Sequence, residues 1–420
     1  NMGADLSGGA KVALALSAFV LVAIVSMAVL QTAGAGASVE SEEAVLWNDA
    51  RSAGPKVSRA VEVWGTGSKR RFPNPCFPVV GTEETSLDVQ GPQDASIVCV
   101  PRIIIIGVMK AATSFLYHTL MQHPELASSP LIKETNFFTN GYGTGIQGYA
   151  SFFEQENVYG TEKPTILFEA SPAYMTAAAA RDKLYSLLPD TKIIVTLRDP
   201  VARAYSHWNY FILQRKRWIG EKQAEDEHAR IEKTATATIE QLLYEDWKYL
   251  TNCFDNVVPE AFKDRPPPLL GAGEISLSDS AYRRKDCDAI YARRSQGHPG
   301  ATDFGGILSK GMYAIHLKWW MSLFPKEQFM IIRYEDLDER GDVQVLNEIC
   351  WWLGVEQRSR VQWAIKGKTN SFEYAQPLDK RTERWLREFY ASYNAELYAY
   401  LGTDMGWTGK VEEEAAAAAV

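Results

Sequence analysis

The stretch Ile103-Ile104-Ile105-Ile106-Gly107-Val108-Met109-Lys110-Ala111-Ala112-Thr113-Ser114 decides the fold. Four β-branched apolar residues in a row suit a strand buried on both faces of a parallel sheet. Small residues follow, and then Phe115, Leu116, Leu120 and Met121 recur at helical spacing up to His123-Pro124. The reading is strand, small-residue loop, helix. The first turn of such a helix offers unpaired N–H groups and the positive end of its dipole, a geometry that binds phosphate-like anions. The loop is not a Walker A sequence, because there the Lys directly precedes Ser/Thr, whereas Lys110 stands three residues before Thr113. Taken alone, it reads equally as a tight turn with an incidental lysine.

Two more patterned regions extend the α/β reading. Lys192 to Leu197 is an apolar strand that runs into Arg198-Asp199-Pro200. Asp199 suits an N-cap and Pro200 the first helical position, so Val201 to Tyr210 continues as helix with Arg203, Ser206 and His207. Arg198 then lies at the carboxyl end of a parallel strand, where α/β folds bind ligands. An Arg fork with a hydroxyl makes a sensible monophosphate clamp. Further on, Tyr313, Leu317, Trp320 and Met321 form a helical stripe ended by Pro325. Gln328 to Arg333 reads as a strand, and Val345, Leu346, Ile349, Cys350 and Leu353 as an apolar helix face closed by Gly354.

Outside this core, Val12 to Leu30 is uncharged and long enough, at about 28 Å, to cross a hydrocarbon core. Lys11 precedes it and Glu40, Glu42 and Glu43 follow, which places the amino terminus in the cytosol and the bulk in a lumen. The expected layout is a tail at 1–11, a transmembrane signal anchor at 12–30, a stem at 31–97, a catalytic domain at 98–408 and a frayed tail at 409–420. A cleaved signal peptide ending near Ala33-Gly34-Ala35 is the rival reading. Cys76 and Cys99 could pair in an oxidising lumen, and Cys253 and Cys287, which flank part of the charged insertion 214–305, could close a loop within it. With 420 residues, 46% of them hydrophobic, the chain is neither disordered nor collagenous, and five cysteines make no disulfide scaffold. No cysteine or histidine spacing suggests a metal, so none is expected. A net charge of -8 argues against a nucleic-acid partner, while an anionic ligand remains open if basic groups converge locally.

The blocks GVMKAATSFLYHTLMQHPEL (107–126), LRDPVARAYSHW (197–208), KGMYAIHLKWWMSLFPKEQFMIIRYEDL (310–337) and LREFYASYNAELYAYLG (386–402), in this order, resemble the sulfotransferase family. The likeness is strongest to its Golgi carbohydrate branch, which includes the heparan sulfate enzymes. The resemblance implies a P-loop-type, five-stranded parallel sheet flanked by helices. It also implies 3′-phosphoadenosine 5′-phosphosulfate (PAPS) as sulfuryl donor and a polysaccharide or glycan as acceptor. By that resemblance Gly107, Met109, Lys110, Ala111, Ala112, Thr113 and Ser114 form the 5′-phosphosulfate loop. Arg198 and Ser206 take the 3′-phosphate, and Lys366, Gly367 and Lys368 match a segment that closes over the nucleotide. Ala112 stands where the family usually has Gly, so the loop keeps its form if that position has negative φ.

The chemistry needs few parts. A substrate oxygen or amine attacks sulfur, and the bridging oxygen leaves with the nucleotide phosphate. Lys110 is the candidate donor to that oxygen. The segment Lys133-Glu134-Thr135-Asn136-Phe137-Phe138 matches the place of the heparan branch's catalytic Glu, which makes Glu134 the candidate general base. Read without the family, Glu134 is a solvated carboxylate paired with Lys133. His118 is the weaker competitor. In the block Phe168-Glu169-Ala170-Ser171-Pro172, Ala170 replaces a Lys of the heparan branch. The competing functions are a sulfotransferase for a small hydroxylated metabolite or tyrosine, a nucleotide kinase, and an inactive membrane-anchored binding protein.

Overall fold

The computed structural model describes residues 74–79, 96–155, 158, 165–219, 237–253, 257–270, 306–365 and 377–407. The expected anchor at 12–30, most of the stem, the tail at 409–420, a Cys253–Cys287 bridge and Lys366-Gly367-Lys368 all lie outside the described residues. Among the described residues, no helix is long and apolar enough to cross a membrane.

The strands are β1 (Cys76–Val79), β2 (Ser96–Cys99), β3 (Ile103–Gly107), β4 (Leu126–Ala127), β5 (Ile166–Ala170), β6 (Lys192–Leu197) and β7 (Phe329–Arg333). Five form one sheet in the order β4-β5-β3-β6-β7, every pair parallel. The isoleucines of β3 explain its central place. Ile104 and Ile106 enter one core and Ile103 and Ile105 the other, all at most 1% exposed. Each such burial contributes about 2 kcal/mol.

The first core is closed by Leu184 of α2 (Ala178–Leu187) and, further along the chain, by Leu317 and Trp320 of the helix Tyr313–Met321. On the opposite face lie Phe115, Leu116 and Leu120 of α1 (Thr113–Leu120). Val345, Leu346 and Ile349 of the helix Asp342–Leu353 join them, and Gly354 caps that helix in the left-handed region. A third cluster packs α3 (Pro200–Ile219) against α4 (Ile239–Cys253) and the long helix Lys380–Leu401. In chain order the helices Tyr313–Met321, Asp342–Leu353 and Lys380–Leu401 are α5, α6 and α7.

From β3 the chain builds one side of the sheet, then passes back to build β6 and β7 on the other. The carboxyl ends of β3 and β6 therefore flank a topological switch point, the usual place for a ligand. The segment read as stem also contributes to the folded body. β1 pairs antiparallel with β2, Cys76 opposite Cys99, and the two cysteines form a disulfide. Asn74 fastens the hairpin to β5: its amide donates to Thr165 O at 2.7 Å and its oxygen accepts from Leu167 N at 2.7 Å.

Candidate active site

The loop after β3 is shaped by steric need. A Cβ on Gly107 would stand 2.9 Å from the Met175 Cβ and 3.2 Å from the Pro172 carbonyl oxygen, at φ +156°. Val108 N donates to Thr196 O at 2.9 Å, which ties the loop to β6. Ala111 is fully buried, Thr113 is buried, and Met109, Lys110, Ala112 and Ser114 are half-buried. Ala112 sits at φ 64°, ψ 18°, in the left-handed region. The condition of a negative φ is therefore not met. The turn into α1 needs the conformation that Gly adopts freely, and Ala holds it at a cost of about 1–2 kcal/mol. α1 starts at Thr113 with no side-chain cap. The N–H groups of Thr113, Ser114 and Phe115 thus have no intrahelical acceptor.

Cations gather at this helix end. Arg198 Nη1 donates to Lys110 O at 3.1 Å, and the guanidinium lies 4.5 Å from the centre of the Tyr334 ring. Tyr313 hydroxyl donates to Arg198 O at 2.8 Å, and Asp199 caps α3 by accepting from Val201 N at 3.0 Å. Burial, with Arg198 and Lys133 nearby, lowers the Lys110 ammonium to a pKa of about 8. Such a cluster is a local concentration of positive charge in a chain of net charge -8. The Lys110 ammonium rests 4.4 Å from the centre of the Tyr210 ring.

Glu134 is 44% exposed on its side chain and paired with Lys133 at 2.6 Å. This ion pair is the one expected of Glu134 as a solvated carboxylate, and its neighbour Lys133 is close enough to act on Lys110. His118 is exposed on α1, its ring edge-on to Tyr117 at 5.3 Å. Ser206 is buried on α3, one turn before Tyr210. Arg203 belongs elsewhere. It is fully buried, with Nη2 donating to Ile307 O and Nη1 reaching His207 Nδ1 at 3.5 Å, so it anchors the chain at 306–309. Among the described residues, no group of three His, Cys, Asp or Glu side chains is placed to hold a metal.

The sequence marks Glu169 and Ser171 as possible site residues, with helix capping by Ser171 as the alternative, and they form part of a buried cluster beneath the Glu134 segment. Glu169, on β5, is fully buried, and burial pushes its carboxyl up to about 7 against the opposing pull of neighbouring hydroxyls. Its Oε2 accepts from the Thr135 hydroxyl. Ser171 Oγ accepts from Asn136 N at 3.1 Å, and Tyr174 Oη from Phe138 N at 3.2 Å. Three groups at the end of β5 thus hold residues 135–138 in place. Lys133 and Tyr210 were missed. The spacing of Tyr210 four residues after Ser206, on one helix face, was the available signal.

Residues 100–376 match the sulfotransferase domain, and the chain belongs to that family of enzymes. A membrane-associated sulfotransferase of Dictyostelium discoideum is 28% identical over 360 residues, 80% of this chain and 69% of that protein. The human heparan sulfate glucosamine 3-O-sulfotransferase 3A1 is 25% identical over 331 residues, 74% of this chain and 63% of that protein. The chain thus spans about two thirds of the length of these relatives. Among solved structures, a sulfotransferase from Alicyclobacillus acidocaldarius aligns with a TM-score of 0.46 at 20% identity, over 73% of this chain and 98% of that chain.

Proposed function

We propose that this enzyme transfers a sulfuryl group from PAPS to a hydroxyl or amine of a carbohydrate, in line, at the β3–α1 junction. The observation that carries the reading is the convergence of Lys110 and Arg198 on the uncapped amino terminus of α1. The donor is a polyanion, and this set consists of cations and N–H donors, so the residues fit it. Thr113, Ser114 and the loop amides hold the 5′ oxygens, and Arg198 with Ser206 holds the 3′-phosphate. Lys110 neutralises the oxygen that departs with the nucleotide, where charge develops in the transition state. Glu134 accepts the acceptor's proton once Lys133 has turned toward the donor's negative charge. Lys366, Gly367 and Lys368 complete the nucleotide cover.

A carbohydrate acceptor is supported by the heparan sulfate relative. Membrane attachment in the Golgi, with the catalytic part lumenal, is supported by the apolar segment 12–30 and by the membrane-associated relative. The Cys76–Cys99 pair suits an oxidising lumen. One observation favours a smaller acceptor: Leu131 and Ile132, next to Lys133 and Glu134, are 82% and 44% exposed and form an apolar lip.

Two experiments test the reading. Calorimetry with adenosine 3′,5′-bisphosphate is expected to show binding, and its absence removes the proposed donor site. Transfer of labelled sulfate from PAPS is then screened over desulfated polysaccharides, phenols and alcohols. Labelling of phenols or alcohols alone replaces the carbohydrate acceptor with the smaller one. Glu134→Gln is expected to lower kcat at saturating donor about 10²–10⁴-fold, and an unchanged kcat takes the base role away from Glu134.

A further inference from the structure

We propose that Tyr210 is a positioning residue, whose ring face holds the Lys110 ammonium at the mouth of the loop and keeps it charged until an anionic donor takes it. The inference rests on the role given to Lys110 above.

Three elements present charged or titratable groups to Lys110. Arg198 comes from the end of β6, Lys133 from the segment before Glu134, and Tyr210 from α3. The first two are cations and favour loss of the Lys110 proton. Among the described residues, the charges that act most on Lys110 are these two cations. Glu134, next to Lys133 in the chain, is occupied by that lysine. The ring, 4.4 Å from the ammonium, supplies the opposing attraction through the negative face of its quadrupole. Its position is fixed by helix geometry, because Tyr210 lies one turn beyond Ser206 on α3. The ring is 36% exposed, so replacing it opens no core cavity.

The contact also suits the catalytic cycle. A salt bridge at this place would hold the ammonium too firmly to yield it to the donor. A cation–π contact is weak enough for a phosphosulfate to outcompete and strong enough to set the proton occupancy near neutral pH.

The test compares full-length wild type, Tyr210→Leu and Tyr210→Phe. Trace acetylation of Lys110 by acetic anhydride, followed by mass spectrometry across pH, reads the titration of its ammonium without any turnover. Tyr210→Leu is expected to move that midpoint down by about half a unit or more, while Tyr210→Phe, which keeps the ring, stays close to wild type. In the transfer assay, Tyr210→Leu is expected to lose roughly two- to fivefold in kcat/KM at pH 8 and less than about twofold at pH 6.5, because only the alkaline limb moves. An unchanged Lys110 midpoint in Tyr210→Leu overturns the proposal, as does a Tyr210→Phe midpoint as low as that of Tyr210→Leu. If the wild type transfers no sulfate from PAPS, the functional reading fails, while the acetylation result still decides the role of Tyr210.

Discussion

Lys110 illustrates how one residue is made reactive by its neighbours. In water a lysine is charged far above neutral pH. Here burial and two nearby cations bring its pKa to about 8, so an arriving polyanion gains from both charge neutralisation and the restored proton. Removing the ammonium removes the group proposed to neutralise the leaving oxygen. Lys110→Ala is expected to lower kcat by about 10²–10³-fold with an unchanged circular dichroism spectrum. Ala112, two residues on, makes the reverse point. Its left-handed backbone favours glycine for conformational reasons alone. Relief of that strain is partly offset by the greater freedom of an unfolded glycine, so Ala112→Gly is expected to stabilise the fold by roughly 0.5–1 kcal/mol in urea titration. A destabilisation would show that the alanine methyl group packs usefully at this site.

At the scale of elements, the legible parts were those written in short-range patterns. β3 announced itself through four isoleucines, and β6 through an apolar run ended by an Asp-Pro helix start. α1, α5 and α6 were legible through their apolar stripes. What remained hidden depended on contacts between distant segments. Nothing local distinguishes Arg203, which is buried against Ile307, from Arg198, which reaches Lys110 O beside the proposed anion site. Nothing local shows that Glu169 lies beneath residues 135–138 rather than on a solvated edge. Glu169 has a consequence for pH dependence. Its folded pKa of about 7 lies above the usual carboxylate value of 4.5, so between those values the native state binds more protons than the unfolded chain. The carboxyl therefore favours folding most below about pH 4.5, and that advantage is lost as pH rises through 7. Glu169→Gln, which does not titrate, is expected to gain stability relative to wild type between pH 5 and pH 8, by at most about 3 kcal/mol. Urea titrations of both proteins at the two pH values read this directly. A difference independent of pH would mean that Glu169 is ionised throughout.

At the scale of the whole molecule, the sheet separates two apolar cores, and the ligand end of the sheet depends on both. The β3 loop draws Val108 and Ala111 into one core, while α1 is seated in the other. The β1–β2 hairpin belongs to the first core. Cys76, Phe77, Cys99 and Val100 are all at most 2% exposed there, and Val100 leads directly into β3. The hairpin is thus the near end of the strand that carries the site. Its disulfide closes a loop with a sequence separation of 23, which in the chain-entropy account stabilises the fold by about 3 kcal/mol. The double substitution Cys76→Ser and Cys99→Ser also places two hydroxyls in an apolar core, so reduction of the wild type is the cleaner comparison. Treatment with dithiothreitol is expected to lower the urea midpoint by an amount equivalent to about 2–4 kcal/mol. Donor affinity measured well below that midpoint should be unchanged, because the proposed anion-binding groups sit at the opposite, carboxyl end of β3. A loss of affinity on reduction, without a loss of stability, would mean that the hairpin acts on the site rather than on the fold.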